Sequence, residues 1–144
     1  MRRAQPLMKQ SSEVAATLLI VEDHPAVLRD VRVLLSSAFP ACRVLVAESG
    51  EQALDLCAGD APCVVVMDIG LPGIDGIEAT RRIKTRVPGA AVVMHSGSDT
   101  AIYRDAAAVA GASAFVPKQK TFSELVPAVT GLLAAVMRAA AGGR

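Results

Sequence analysis

Three carboxylates, one hydroxyl and one amine stand where apolar runs end in this 144-residue chain: Glu22 and Asp23 in VEDHP, Asp68 in VVVMDIG, Ser96 in VVMHSG and Lys118 in AFVPK. Two carboxylates about 5 Å apart repel by roughly 3 kcal/mol at an effective dielectric of about 20. Three crowded together therefore need compensation, which a divalent cation and the Lys118 ammonium would supply. Oxygen-only ligands suit Mg2+, with Mn2+ able to substitute, and a small ion that keeps several waters leaves positions open for phosphoryl oxygens. The chemistry these residue types imply is phosphoryl transfer.

The five can meet only if the elements carrying them converge. Short apolar runs at Thr17–Val21, Arg43–Ala47, Val64–Met67, Ala90–Met94 and Ala114–Val116 read as strands. At least three are nearly continuous in apolar residues, as parallel strands covered on both faces require. Helical patterns alternate with them. Pro25 to Phe39 carries Val27, Val31, Leu34, Leu35 and Ala38 on one face, with Pro25 suited to a first turn. Ser49 with Gln52 makes a capping box for a second helix through Ala58, and Asp75 with Glu78 makes one for a third that ends before Pro88. Ser98, Asp99 and Thr100 offer caps for a fourth helix closed by Gly111, and Thr121 with Glu124 starts a fifth that runs to about Ala140. The order is (βα)5, an α/β fold with three layers and a doubly wound parallel sheet of five strands. In such a sheet the ligand crevice lies beyond the carboxyl ends of the strands, where Glu22, Asp23, Asp68, Ser96 and Lys118 all fall.

Composition narrows the rest. The length fits one domain, expected over 17–138 between a flexible lead-in at 1–16 and a flexible tail at 139–144. Hydrophobic residues make up 52% but aromatics only 3%, so aliphatic side chains must fill the core. A net charge of +1 gives no global attraction for nucleic acid or an anionic membrane. Cys42, Cys57 and Cys63 form no CxxC pair and are odd in number, which suggests reduced thiols in a cytoplasmic protein. Glu22, Asp23 and Arg138 interrupt the richest apolar stretches, so no membrane span is expected. Met1 to Glu13 lacks the apolar run of a signal peptide.

The phrases VEDHP (21–25), MDIGLPGIDGIEATRRIK (67–84), HSGSD (95–99) and GASAFVPK (111–118) resemble the receiver domain of two-component response regulators, and its NarL/FixJ branch in particular, from about Thr17 to Val136. The resemblance implies a flavodoxin- or CheY-like strand order of 2-1-3-4-5. It implies that Asp68 is the phosphoacceptor, that Glu22, Asp23 and the backbone carbonyl of Gly70 join Asp68 in holding Mg2+, and that Ser96 and Lys118 bind phosphoryl oxygens. By the same resemblance Phe115 occupies the aromatic switch position that moves with Ser96; many relatives carry Tyr there, and the missing hydroxyl implies a weaker two-state bias, the alternative being that Phe115 is plain core. Gly70 and Ser98 stand at the two positions that tune dephosphorylation, and neither offers an acid or amide, which implies slow to intermediate loss of the phosphoryl group. Gly76 would allow close backbone approach beside the third helix. The implied partners are a sensor histidine kinase or phosphotransfer protein, with a homodimer on phosphorylation.

Other readings carry less. His24 and His95 are single histidines expected to be structural or at the surface. Arg81, Arg82, Lys84 and Arg86 read as a solvated helix face in which Glu78 pairs with Arg82, and no direct nucleic-acid contact is expected. Tyr103 is a candidate partner contact, whereas Val126, Val129 and Leu133 are expected to pack on the sheet. Haloacid-dehalogenase-like phosphatases also use an Asp nucleophile and Mg2+ but need a second Asp two residues on, where Gly70 stands, so no turnover enzyme is expected beyond self-phosphorylation and self-dephosphorylation. A flavodoxin-like cofactor binder would have no use for the acids, and the complete set of five argues against a receiver that has lost phosphorylation. Most NarL/FixJ relatives continue into a DNA-binding helix-turn-helix, so the sequence is either a stand-alone receiver, toward which the initial Met leans, or a receiver cut from a longer regulator.

Overall fold

A computed structural model describes residues 16–142. Nearly all of the expected lead-in, and residues 143–144 of the expected tail, lie outside the described residues. Five strands, β1 (Thr17–Val21), β2 (Arg43–Ala47), β3 (Val64–Met67), β4 (Ala91–Ser96) and β5 (Ala114–Pro117), alternate with α1 (Pro25–Ala38), α2 (Gly50–Gly59), α3 (Gly76–Arg86), α4 (Ala101–Ala110) and α5 (Val126–Gly142). All strand pairs are parallel, in the order β2-β1-β3-β4-β5.

Alternation along the strands divides the core into two layers. Leu19, Val21, Val65 and Met67 face Ile83 of α3 and Ala107 of α4, while Leu18, Ile20, Val64 and Val66 face Val31 and Leu35 of α1 and Leu125 and Val129 ahead of and within α5. Burying each large aliphatic side chain contributes about 1.5–3 kcal/mol, so the central strands are the stiffest part of the fold.

The helix starts follow local chemistry. Ser49 Oγ accepts the Gln52 N–H at 3.0 Å, Asp75 Oδ1 accepts the Glu78 N–H at 2.8 Å, and Thr100 caps α4. The reciprocal arms of the two expected boxes differ, however. Gln52 Oε1 takes the Glu48 N–H at 2.8 Å, one residue before the cap, and the Glu78 carboxylate turns outward to Arg81 and Arg82. His24 caps α1 by accepting the Val27 N–H at 3.4 Å, and Gly111 closes α4 with φ of 112°.

Three expectations need correction. β4 runs on to Ser96 rather than ending at Met94, because His95 and Ser96 continue the ladder opposite Val116 and Pro117. Pro117 is tolerated there because β5 is an edge strand. Thr121 does not cap the last helix: a 3-10 turn at Lys118–Lys120 and a π-turn at Thr121–Leu125 lead into α5, and Thr121 is buried. Finally, α5 continues to Gly142, past the helix end expected near Ala140. Arg138 does not break its apolar character, and the helical stretch Lys118–Gly142 is long and apolar enough, by length and composition, to cross a membrane. Its Leu125 and Val129 are fully buried against the sheet, and Leu132, Leu133 and Val136 pack beside them, so this stretch forms part of the domain's covering layer.

Candidate functional site

Backbone bonds that overrun the strands fix the acidic residues. The Glu22 N–H donates to Ala47 O at 3.0 Å and the Asp68 N–H donates to Val21 O at 3.0 Å, so both carboxylates start from the ends of buried ladders. The loop after Asp68 folds back at once, with the N–H groups of Leu71 and Gly76 both donating to Ile69 O. Gly76 is required there: a Cβ on it would lie 1.9 Å from the Asp68 carbonyl oxygen. Gly73 turns with φ of 75°, and the Glu51 carboxylate at the start of α2 accepts the next N–H, that of Ile74, at 3.0 Å.

Ligand atoms of Glu22, Asp23 and Asp68 all lie within 4.8 Å of one another. Glu22 and Asp68 are buried and Asp23 is exposed, so the cluster opens to solvent on one side. Lys118 Nζ lies 3.0 Å from Glu22 Oε1 and 3.3 Å from Asp68 Oδ1. The contact to Glu22 is an ion pair without hydrogen-bond alignment, so this buried oxygen keeps acceptor capacity unspent; Glu22 Oε2 accepts the His24 N–H at 3.2 Å. Burial raises the Glu22 carboxyl above its ordinary value and the Asp68 charge adds to this, against the pull of Lys118 and the His24 amide. Burial alone would lower Lys118, yet Glu22 and Asp68 together outweigh it and hold the ammonium above the ordinary lysine range. One ammonium faces three acids. The underbonded Glu22 oxygen, the adjacent carboxylates and the absence of nitrogen or sulfur donors fit a hard divalent cation.

A cleft of about 300 Å³ opens beside Asp68, lined by Gly70, Ser96, Ser98, Tyr103 and Lys118 among others. Ser96 is buried at the end of β4, and its Oγ accepts the Ser98 N–H at 3.1 Å. Phe115 lies on the neighbouring strand, opposite Met94, half-buried, with the Arg104 guanidinium 4.6 Å above its ring. All five residues picked out at the strand ends therefore converge, with Gly70 and Ser98 at the same mouth.

The single histidines fall elsewhere. His24 is the α1 cap, and His95 is buried with Nε2 2.7 Å from Thr121 Oγ1. Burial, with Lys118 nearby, lowers His95 to about 4, so it is neutral at pH 7. Four features of the surroundings went unseen in the sequence: the Glu51 brace on the Asp68 loop, Tyr103 lining the cleft, Arg104 over Phe115, and the His95–Thr121 contact. Each joins residues distant in sequence; only the polar His95 inside an otherwise apolar run gave a signal.

A parallel 2-1-3-4-5 sheet with an acidic cluster at its carboxyl edge is the architecture of a CheY-like signalling domain. The chain belongs to the response regulator receiver domain family, which matches residues 18–130. It is 34% identical over 116 residues to the response regulator MprA of Mycolicibacterium vanbaalenii, covering 81% of this chain and 49% of that protein. A two-component response regulator of the LuxR family from an Aurantimonas species superposes with a TM-score of 0.77 at 35% identity, over 83% of this chain and 86% of that one. A CheY-like receiver domain from Methanospirillum hungatei shares the fold, with a TM-score of 0.79 at 23% identity over 85% and 97% of the two chains. The chain spans about half the length of the curated relatives it matches. It is a two-component response regulator receiver, a signalling domain.

Proposed function

We propose that Asp68 accepts a phosphoryl group from a phosphohistidine of a sensor kinase or phosphotransfer protein, in the cytoplasm and with Mg2+ bound. An Asp68 carboxylate oxygen attacks phosphorus as the donor's P–N bond breaks, and the imidazole leaves with the bond's electron pair. Glu22, Asp23, Asp68 and the Gly70 carbonyl would hold the metal, which supplies positive charge at the transferring phosphoryl oxygens. Lys118 and Ser96 bind the remaining oxygens, and the protein's own part is positioning and charge neutralisation. The observation that carries this reading is the convergence of three carboxylates within 4.8 Å, with one ammonium 3.0 and 3.3 Å from two of them.

Switching follows from the same groups. A phosphoryl group on Asp68 draws the Ser96 hydroxyl away from the Ser98 N–H, and Phe115 moves into the space vacated. The changed surface controls a partner, a second copy of the domain or, as the longer curated relatives suggest, an output domain acting on transcription, within a receiver unit spanning 17–138. Neither Gly70 nor Ser98 offers an acid or amide to orient an attacking water, so loss of the acyl phosphate is slow to intermediate.

Incubation with acetyl phosphate and Mg2+ tests the core of this reading. Wild type is expected to gain the mass of one phosphoryl group, and chelation of Mg2+ or Asp68→Asn to prevent it. A mass gain that survives in Asp68→Asn overturns the assignment.

A further inference from the structure

His95 and Ser96 are neighbours on β4, and strand alternation sends their side chains to opposite faces of the sheet. Ser96 lines the cleft beside Asp68, while His95, 2% exposed, lies beneath it. His95 Nε2 is 2.7 Å from Thr121 Oγ1, and the Thr121 hydroxyl donates to the Lys118 carbonyl oxygen at 2.6 Å. A hydroxyl has one proton, and here it goes to Lys118. The Thr121 oxygen must therefore accept from His95, which fixes the neutral imidazole as its Nε2–H tautomer.

Lys118 opens the 3-10 turn, which passes directly into the π-turn beginning at Thr121. Such irregular turns inside a helix are uncommon and gather at functional sites. A threonine at a helix start ordinarily spends its oxygen on an N–H of the first turn, but no side-chain cap of this kind forms here. The distortion instead directs Thr121 inward to two partners, one on the sheet and one on the main chain of Lys118. Gln119 and Lys120 are exposed; the Thr121 N–H also donates to the Lys118 carbonyl, and the Thr121 hydroxyl adds the bond that ties this carbonyl to the buried His95. Lysine carries its charge on a flexible four-carbon stem, so the placement of Nζ depends on how firmly its backbone is held.

We propose that His95 and Thr121 are positioning residues for phosphoryl transfer, holding the Lys118 carbonyl so that Nζ stays on Glu22 and Asp68. This rests on the reading of Asp68 as phosphoacceptor. Two hydrogen bonds on the far face of the sheet thereby set the rate of a reaction on the near one.

The test compares initial rates of phosphorylation by acetyl phosphate across its concentration range. Thr121→Val keeps the shape and removes the hydroxyl; it is expected to lower the maximal rate roughly tenfold, as a misplaced catalytic group does. The Mg2+ dissociation constant, measured by calorimetry, is expected not to rise, because an ammonium that leaves Glu22 and Asp68 no longer competes with the ion for their oxygens. Thr121→Ser is expected to restore the rate, and Thr121→Val added to Lys118→Ala to cost nothing further. The His95 pair reads the same contact without altering Thr121, even should the valine variant fail to fold: His95→Gln, which keeps a donor, retains the rate, and His95→Leu loses it. Equal losses with and without Lys118, a Mg2+ affinity that falls in step with the rate, or a folded Thr121→Val at full rate each overturn the proposal while leaving Asp68 phosphorylation standing. A wild-type chain that gains no phosphoryl group overturns both.

Discussion

The two halves of the site are anchored differently. On the carboxylate side, β1 from Leu18 to Val21 and all of β3 are buried, and α3 sets Gly76, Ala79, Thr80 and Ile83 into the core. On the hydroxyl side, the ten-residue α4 buries only Ala107 and Ala110, and leaves Ile102 and Val109 at 78% and 86% exposure. Few buried apolar contacts mean a low cost of local rearrangement. The half that holds charge is therefore built on buried strands and a buried helix face, whereas the hydroxyl side sets a buried strand, β4, under a lightly packed helix.

Paired glycines offer the strongest way to break this contrast. Gly76 has no room, since an added Cβ meets the Asp68 backbone at 1.9 Å, whereas a Cβ on Gly97 meets nothing within 4 Å. Gly76→Ala is expected to lose about 3 kcal/mol in urea unfolding. Gly97→Ala is expected to change stability by no more than about 0.5 kcal/mol. Similar losses in the two variants would mean that the loops are equally constrained.

The far face of β4 gives the next largest effect. His95 is held to about 4 from an ordinary 6.5, because burial and the Lys118 charge disfavour the imidazolium more than Asp68 favours it. A histidine depressed in the folded state binds its proton more readily unfolded, so its contribution is complete above pH 6.5 and lost as pH falls toward 4. The full loss is on the order of 3 kcal/mol, from 1.36 kcal/mol for each pKa unit. Denaturation across that range should show wild type losing more stability than His95→Gln by this amount. Parallel pH courses would show that the buried imidazole is not what makes this region acid-sensitive.

Rates sharpen the contrast further. Lys118→Ala removes the ammonium between two buried carboxylates and is expected to slow phosphorylation about 100-fold, near 2.7 kcal/mol of barrier. Ser96→Ala removes a neutral donor from the hydroxyl side and is expected to cost about tenfold, with Mg2+ affinity unchanged. A larger loss at Ser96 than at Lys118, measured by mass against time, would reverse the ranking.

Much of the carboxylate side was legible in the sequence because its cause is local. Apolar runs ending in Glu22, Asp23 and Asp68, with the Asp75 cap in the loop that follows Asp68, specify strand ends and helix starts without tertiary information. The end of β4 was misread for a physical reason: His95 and Ser96 look like the close of an apolar run, and only pairing with β5 keeps them in the ladder. Thr121 and Glu124 match a capping box by spacing. The competing partners His95 and the Lys118 carbonyl, the first 26 residues away, win the hydroxyl instead. Contacts such as the Glu51 carboxylate with the Ile74 N–H, or Arg104 with Phe115, join residues of different elements, so no pattern along the chain could announce them.

The smallest effect separates the halves most finely. Arg104 lies over Phe115 and pairs with Asp99, in an exposed arrangement beside a cavity of about 150 Å³ lined by Ala107, Ala108 and Ala112 among others. An exposed cation–π contact is worth about 0.5–1 kcal/mol and an exposed ion pair less. Arg104→Ala is therefore expected to cost no more than about 1 kcal/mol in unfolding. It also removes the guanidinium that lies over the ring, so on the proposed switching the conformational balance of Phe115 should shift by more than the stability does. Phe39, Phe115 and Phe122 are the three phenylalanines, so fluorine-labelled rings give three assignable resonances. Beryllofluoride is expected to move the Phe115 signal, and Arg104→Ala to move it part of the way without beryllofluoride. If neither changes it, Phe115 is fixed core and the hydroxyl side of the site is as static as the other.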